Sequence, residues 1–135
     1  MNRDPRAAIV FDDFEPGAIL GETAEAFDPG LAESWQRIFG APSPGASAMG
    51  AGIAVVLMMR AYLAVVAPRP PGNIHARQRF QLAGMPRPGE RIRTVVTCAG
   101  KEMKRGRPHV ELATEGTGEG GRPIYTGRMT LIWAA

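Results

Sequence analysis

The chain is poor in the groups that carry out chemistry. Its 135 residues include one cysteine and two histidines. Cys98 has no second thiol to pair with, so neither a disulfide framework nor a cysteine-based zinc site can be built within one chain, and it reads as a small buried hydrophobe. Between Gly40 and Ala67 there is not one Asp or Glu. Internal repeats and low-complexity tails are missing too. Residues 1–8, MNRDPRAA, lack the apolar core of a signal peptide, which makes the cytoplasm the expected location. A composition 44% hydrophobic and 21% charged fits one domain spanning residues 1–135, large enough to bury a core without disulfides.

Charge is unevenly spread. From Arg69 to Arg107 there are ten Lys or Arg against two acids, a local charge of +8, whereas the remainder carries −5. Such a basic segment suits nucleic acid, phosphate on a small cofactor, phosphate on a carrier protein, or nothing beyond solvated strand faces. No zinc finger, helix-turn-helix or aromatic RNA-binding signature accompanies it, and the bases alternate along strands, so nucleic acid is not expected as a partner.

The pattern changes period along the chain. VFDDFEPG (10–17) is an aromatic and acidic edge segment ending in a Pro-Gly turn, and a short strand is predicted from Ile19 to Phe27. Asp28-Pro29 has the form of a helix N-cap with proline at the first helical position. Leu31, Trp35, Ile38 and Phe39 then recur at helical spacing up to Gly40. Ala46 to Ala67 is apolar apart from Ser47, Arg60 and the Tyr62 hydroxyl, and Pro68 stops it. That length could span a bilayer, but Arg60 lies deep in the run and no basic or aromatic belts flank it, so a buried helix is expected and a membrane is not. Arg60 itself needs a carboxylate, carbonyls or water.

Beyond the helix the period is two. Ile74, Ala76, Phe80 and Leu82 alternate with polar residues, with Gln78 the one break. Ile92, Thr94, Val96 and Cys98 mark the next strand, Lys104-Arg105-Gly106 turns it, and Val110, Leu112 and Thr114 mark the third. Gly118 to Gly121 connects to a last strand lined by Tyr125, Met129, Leu131 and Trp133. A half-apolar antiparallel sheet must bury one face and an all-apolar helix must be surrounded; wrapping one around the other meets both needs. This α+β arrangement, about five strands around a long central helix, is the hot-dog fold. Its exposed edges favour pairing of two chains, so a homodimer or higher oligomer is expected.

With that order, FDDFEPGAIL (11–20), MPRPGERIRTVVT (85–97) and GRPIYTGRMTLIW (121–133) together resemble the MaoC-like dehydratase and hydratase family of hot-dog proteins over nearly the full length. The resemblance implies a motif of the form Gly-Asp-x-Asn-Pro-x-His, whose Asp and His act on water and on the alpha proton of an acyl thioester. Hydration needs both a base for water and an acid for carbon. Laid on GAPSPGASAMGAG (40–52), the Asp position falls on Ala41, the Asn position on Ser43 and the His position on Ala46. A second family phrase, His-Gly, falls on Met49-Gly50. Alanine can do neither job.

The resemblance therefore implies a binder of acyl-CoA or acyl-carrier thioesters with a lost or relocated Asp/His pair and no metal or cofactor. Any surviving reaction would be enoyl hydration or 3-hydroxyacyl dehydration. Backbone amides from Gly45 to Gly50 could hold a thioester carbonyl without side chains. The candidate binding residues are Gly40, Ser43, Gly45, Ser47, Met49 and Gly50, with His75 at the start of the next strand. Two alternatives stay open. One is a hot-dog thioesterase recruiting Asp28, Glu33 or a partner's residue. The other is a non-catalytic subunit of a heteromeric hot-dog complex.

Overall fold

The computed structural model describes residues 7–26, 46–87 and 89–135, with the side chains of the long helix described from Ala54 onward. The elements are β1 (Ile19–Ala26), α1 (Ala46–Val65), β2 (Ile74–Leu82), β3 (Arg91–Lys104), β4 (Arg107–Thr117) and β5 (Pro123–Ile132). The five strands form one antiparallel sheet in the order β1-β3-β4-β5-β2, with α1 lying across one face. The short amphipathic helix expected between Pro29 and Phe39 falls outside the described residues.

The inner face of the sheet follows the alternation of the sequence. Ile92, Val96 and Cys98 of β3, Val110 and Leu112 of β4, and Tyr125, Met129 and Leu131 of β5 are all buried. Against them α1 lays Ala54, Leu57, Met58, Ala61 and Tyr62, one stripe at helical spacing. Two glycines set how closely the layers approach: a Cβ on Gly21 would stand 3.0 Å from the Val65 side chain, and one on Gly127 would stand 2.4 Å from the Met58 sulfur. Away from this stripe Leu63 is 46% exposed. The expected arrangement, about five antiparallel strands wrapped around a long central helix, is present, with the described part of α1 packed on the inner face of the sheet along this stripe. Among the described residues no helix is long and apolar enough to cross a membrane.

Arg60 resolves by pairing sideways, 2.8 Å from Glu25 on the inner face of β1. The C-terminal carbonyls of α1 are capped from beyond Pro68. The Arg69 guanidinium donates to Leu63 O at 2.8 Å and Val66 O at 2.7 Å, and it lies over the Tyr62 ring.

β2 departs from its expected pattern. A register shift between His75 and Arg77 inserts one residue, so Ile74 stands opposite Ile132 while Phe80 and Leu82 stand opposite Gly127 and Tyr125. Ile74 thus lies on the other face from Phe80 and is half exposed. Gln78 is the polar residue in the inner row with Phe80 and Leu82, standing opposite Met129. Among the described residues β1 and β2 each have one strand neighbour, leaving both sheet edges open there.

Candidate functional site

The three stretches that resemble the MaoC-like family touch one another. Phe14, from the first, is buried edge-on against Trp133 of the last, with ring centroids 4.9 Å apart, and the Trp133 indole N–H donates to Ile9 O at 2.8 Å. Glu90, from the second, is buried and accepts from the backbone N–H of Arg87 at 2.9 Å, from that of Glu119 at 3.0 Å, and from the Arg122 guanidinium. Burial alone would raise the Glu90 pKa; these donors and the Arg122 charge outweigh it and hold the carboxyl below its ordinary value. Glu90 therefore staples the proline turn to the β4–β5 connection. What the chain keeps of the resemblance is the part that holds the fold together.

Gly40, Ala41, Ser43 and Gly45 fall outside the described residues. Ala46, Ser47, Met49 and Gly50 form the first turn and a half of α1, with their backbone in helical conformation. The amides expected to hold a carbonyl thus belong to a true helix N-terminus where described. His75 is exposed on β2 opposite Leu131, on the inner face, whereas His109 stands opposite Ile132 on the outer face and bonds the Arg107 carbonyl at 2.9 Å. The sheet keeps the two histidines apart. Among the described residues no group of His, Cys, Asp or Glu could hold a metal ion.

Beneath α1, alternation along three strands brings together a set of hydroxyls that sequence reading had assigned only to strand patterns. The Tyr125 hydroxyl is hydrogen-bonded to Thr94 Oγ1, and both residues are buried. Burial, partly offset by that bond, pushes the Tyr125 pKa up to about 12, so the phenol keeps its proton at neutral pH. Phe80 stacks on the Tyr125 ring at 5.5 Å, and Gly116, directly opposite in register, leaves room for that ring: a Cβ there would stand 2.1 Å from Cε1. Thr114 Oγ1 is buried beside Gly127 with no hydrogen-bond partner among the described residues. This surface offers a flat aromatic and hydroxyl groups. Among the described residues it offers no carboxylate–histidine pair, and the inner-face carboxylate of β1, Glu25, is held by Arg60.

Cys98 is buried as expected, with Sγ 3.7 Å from Gly100 O; burial pushes its thiol pKa up, so it is no nucleophile.

The order of elements and the single sheet over one long helix correspond to solved structures over most of their length. The MaoC-like dehydratase of Rhodospirillum rubrum superposes with a TM-score of 0.76 at 13% identity, over 95% of this chain and 99% of that one. This is the hot-dog fold. Two other solved chains are also similar in fold. The C-terminally truncated HadBC 3R-hydroxyacyl-ACP dehydratase complex of Mycobacterium tuberculosis matches with a TM-score of 0.70 at 14% identity, over 87% of this chain and 96% of that one. A thioesterase superfamily member from Thermus thermophilus matches at 0.63 and 16% identity, over 88% and 82%. No family model matches the sequence, and no curated protein does. In this hot-dog chain the similarity therefore lies in the backbone arrangement.

Proposed function

We propose that this chain is a MaoC-like hot-dog protein that binds an acyl thioester, carried on CoA or on an acyl carrier, beside α1 without the family's acid–base pair. One observation supports the reading: the chain has the fold of a MaoC-like dehydratase, and the sequence resemblance lays that family's Asp and His on Ala41 and Ala46. The helix N-terminus can take the thioester carbonyl through backbone N–H groups. The Phe80–Tyr125 surface supports an apolar chain. A protonated Tyr125 can donate a hydrogen bond but cannot activate water at neutral pH.

The open β2 edge supports assembly. Pairing β2 with β2 of a second copy would satisfy its free backbone groups, and a homodimer is the simplest form. The neighbour that is itself a complex favours a second reading, in which this chain is the silent half of a heteromer. The thioesterase reading is weakened because α1 contains no Asp or Glu from Ala46 to Val65.

Thermal unfolding against crotonyl-CoA, longer acyl-CoAs and free coenzyme A tests binding. A ligand of the folded state at about a hundredfold above its Kd contributes about 2.7 kcal/mol. Acyl-dependent stabilisation with no crotonyl-CoA hydration and no thiol release is the expected result. No stabilisation by any thioester at millimolar concentration would remove the proposal.

A further inference from the structure

The basic segment finds a use on the side of the sheet facing away from α1. Arg79 of β2 stands directly opposite Arg128 of β5, and Arg77 stands opposite Thr130 on the same face. Like charges directly opposite each other on paired strands destabilise a sheet. One carboxylate answers them: Glu111 of β4 pairs with Arg128 at 3.3 Å. Neither Arg77 nor Arg79 has a carboxylate partner among the described residues, and both are exposed. Arg77, Arg79, Glu111, Arg128 and Thr130 line a cavity of about 290 Å³, with a local charge of +2 at its wall. A second cavity of about 710 Å³ shares Arg79 and Arg128 with it and runs over half-buried Val95, Thr97 and Ala113. Its carboxylate, Glu115, stands opposite Thr126, two positions along the strand from the row that holds Arg128.

We propose that this outer face binds a phosphorylated small molecule, its phosphoryl oxygens taken by Arg77, Arg79 and Arg128 and its organic part lying over Val95, Thr97 and Ala113. Guanidinium groups present paired N–H donors that match phosphoryl oxygens, and an arriving dianion relieves the Arg79–Arg128 repulsion. The adjoining cavity with its partly apolar floor separates this surface from a merely solvated basic strand face. The site is on the opposite side of the sheet from the thioester surface and does not depend on that reading.

Calorimetric titration at low ionic strength with inorganic pyrophosphate and with ADP tests it, the first probing the arginines alone and the second the arginines with the floor. Saturable binding of both is expected, tighter for ADP, and weakened at least tenfold by Arg79→Gln. Arg91→Gln, an exposed base at the start of β3, should leave both affinities unchanged and serves as the charge control. Absence of binding by either anion, or equal affinity in wild type and Arg79→Gln, would overturn the site. Pyrophosphate binding as tightly as ADP would overturn the organic half of the assignment. Crotonyl-pantetheine, a thioester without phosphate, separates the two sites: its binding should survive Arg79→Gln, and joint loss would show one shared site and reject a separate one.

Discussion

Glu90 shows how a residue of family-like appearance can be structural. It is a buried carboxylate whose acceptors are taken by two backbone N–H groups and by Arg122, so removing it leaves a half-buried guanidinium uncompensated. Glu90→Ala should destabilise the chain by about 3 kcal/mol in urea unfolding at neutral pH. Because its folded pKa is depressed, the unfolded chain binds the extra proton on acidification. The stabilisation is therefore complete above the ordinary carboxylate pKa and is lost as pH falls through the depressed folded value. Glu90→Gln should flatten that part of the stability profile; an unchanged acid limb would contradict the assignment. Gly116 makes a second residue-level case. Gly116→Ala would press a methyl into the Tyr125 ring, and a loss of about 2 kcal/mol is expected, in the range for overpacked cores. At this scale the sequence showed which residues are apolar and alternate, but the contact of Tyr125 with Thr94 and Gly116 depends on the registers of three strands, which no local pattern contains.

At the scale of elements the strands and the long helix were legible, because periods of two and of 3.6 are written directly in the order of apolar residues. β2 was read with the wrong face for Ile74. The cause is one inserted residue at the register shift, which reverses the faces on either side of it. Arg60 was recognised as needing a partner, but its position within the helix could not name Glu25, which comes from 35 residues earlier in the chain and across the layer interface. With the side chains of Arg60 and Glu25 53% and 31% exposed, the pair is a surface clasp. Glu25→Gln should cost less than about 1 kcal/mol and less still at high salt. A loss as large as that of Glu90→Ala would show that the clasp is buried in an assembly. The open edge of β2 makes its own demand: sedimentation should return at least twice the mass of the chain, and a monomer at all concentrations would leave that edge unexplained.

For the whole molecule, the Phe14–Trp133 contact and the Glu90–Arg122 staple help hold the hot-dog frame, while on the proposed reading the family's Asp and His positions are taken by Ala41 and Ala46. The stretch from Gly40 to Gly45 lies outside the described residues, so the reading that its chemistry is removed rests on the sequence resemblance. Where the thioester would lie follows only from α1 and the sheet face beneath it. The outer face was foreshadowed by the charge of the Arg69–Arg107 segment, but Arg128 joins Arg77 and Arg79 only through strand pairing.

Binding without turnover is tested most directly by calorimetric titration of crotonyl-CoA into the protein, with free coenzyme A as the control. We expect a saturable isotherm, tighter for the thioester than for coenzyme A, with thermal power returning to baseline after each injection. A flat titration at millimolar thioester, equal affinity for coenzyme A, or a sustained power offset from continuing hydration would contradict it.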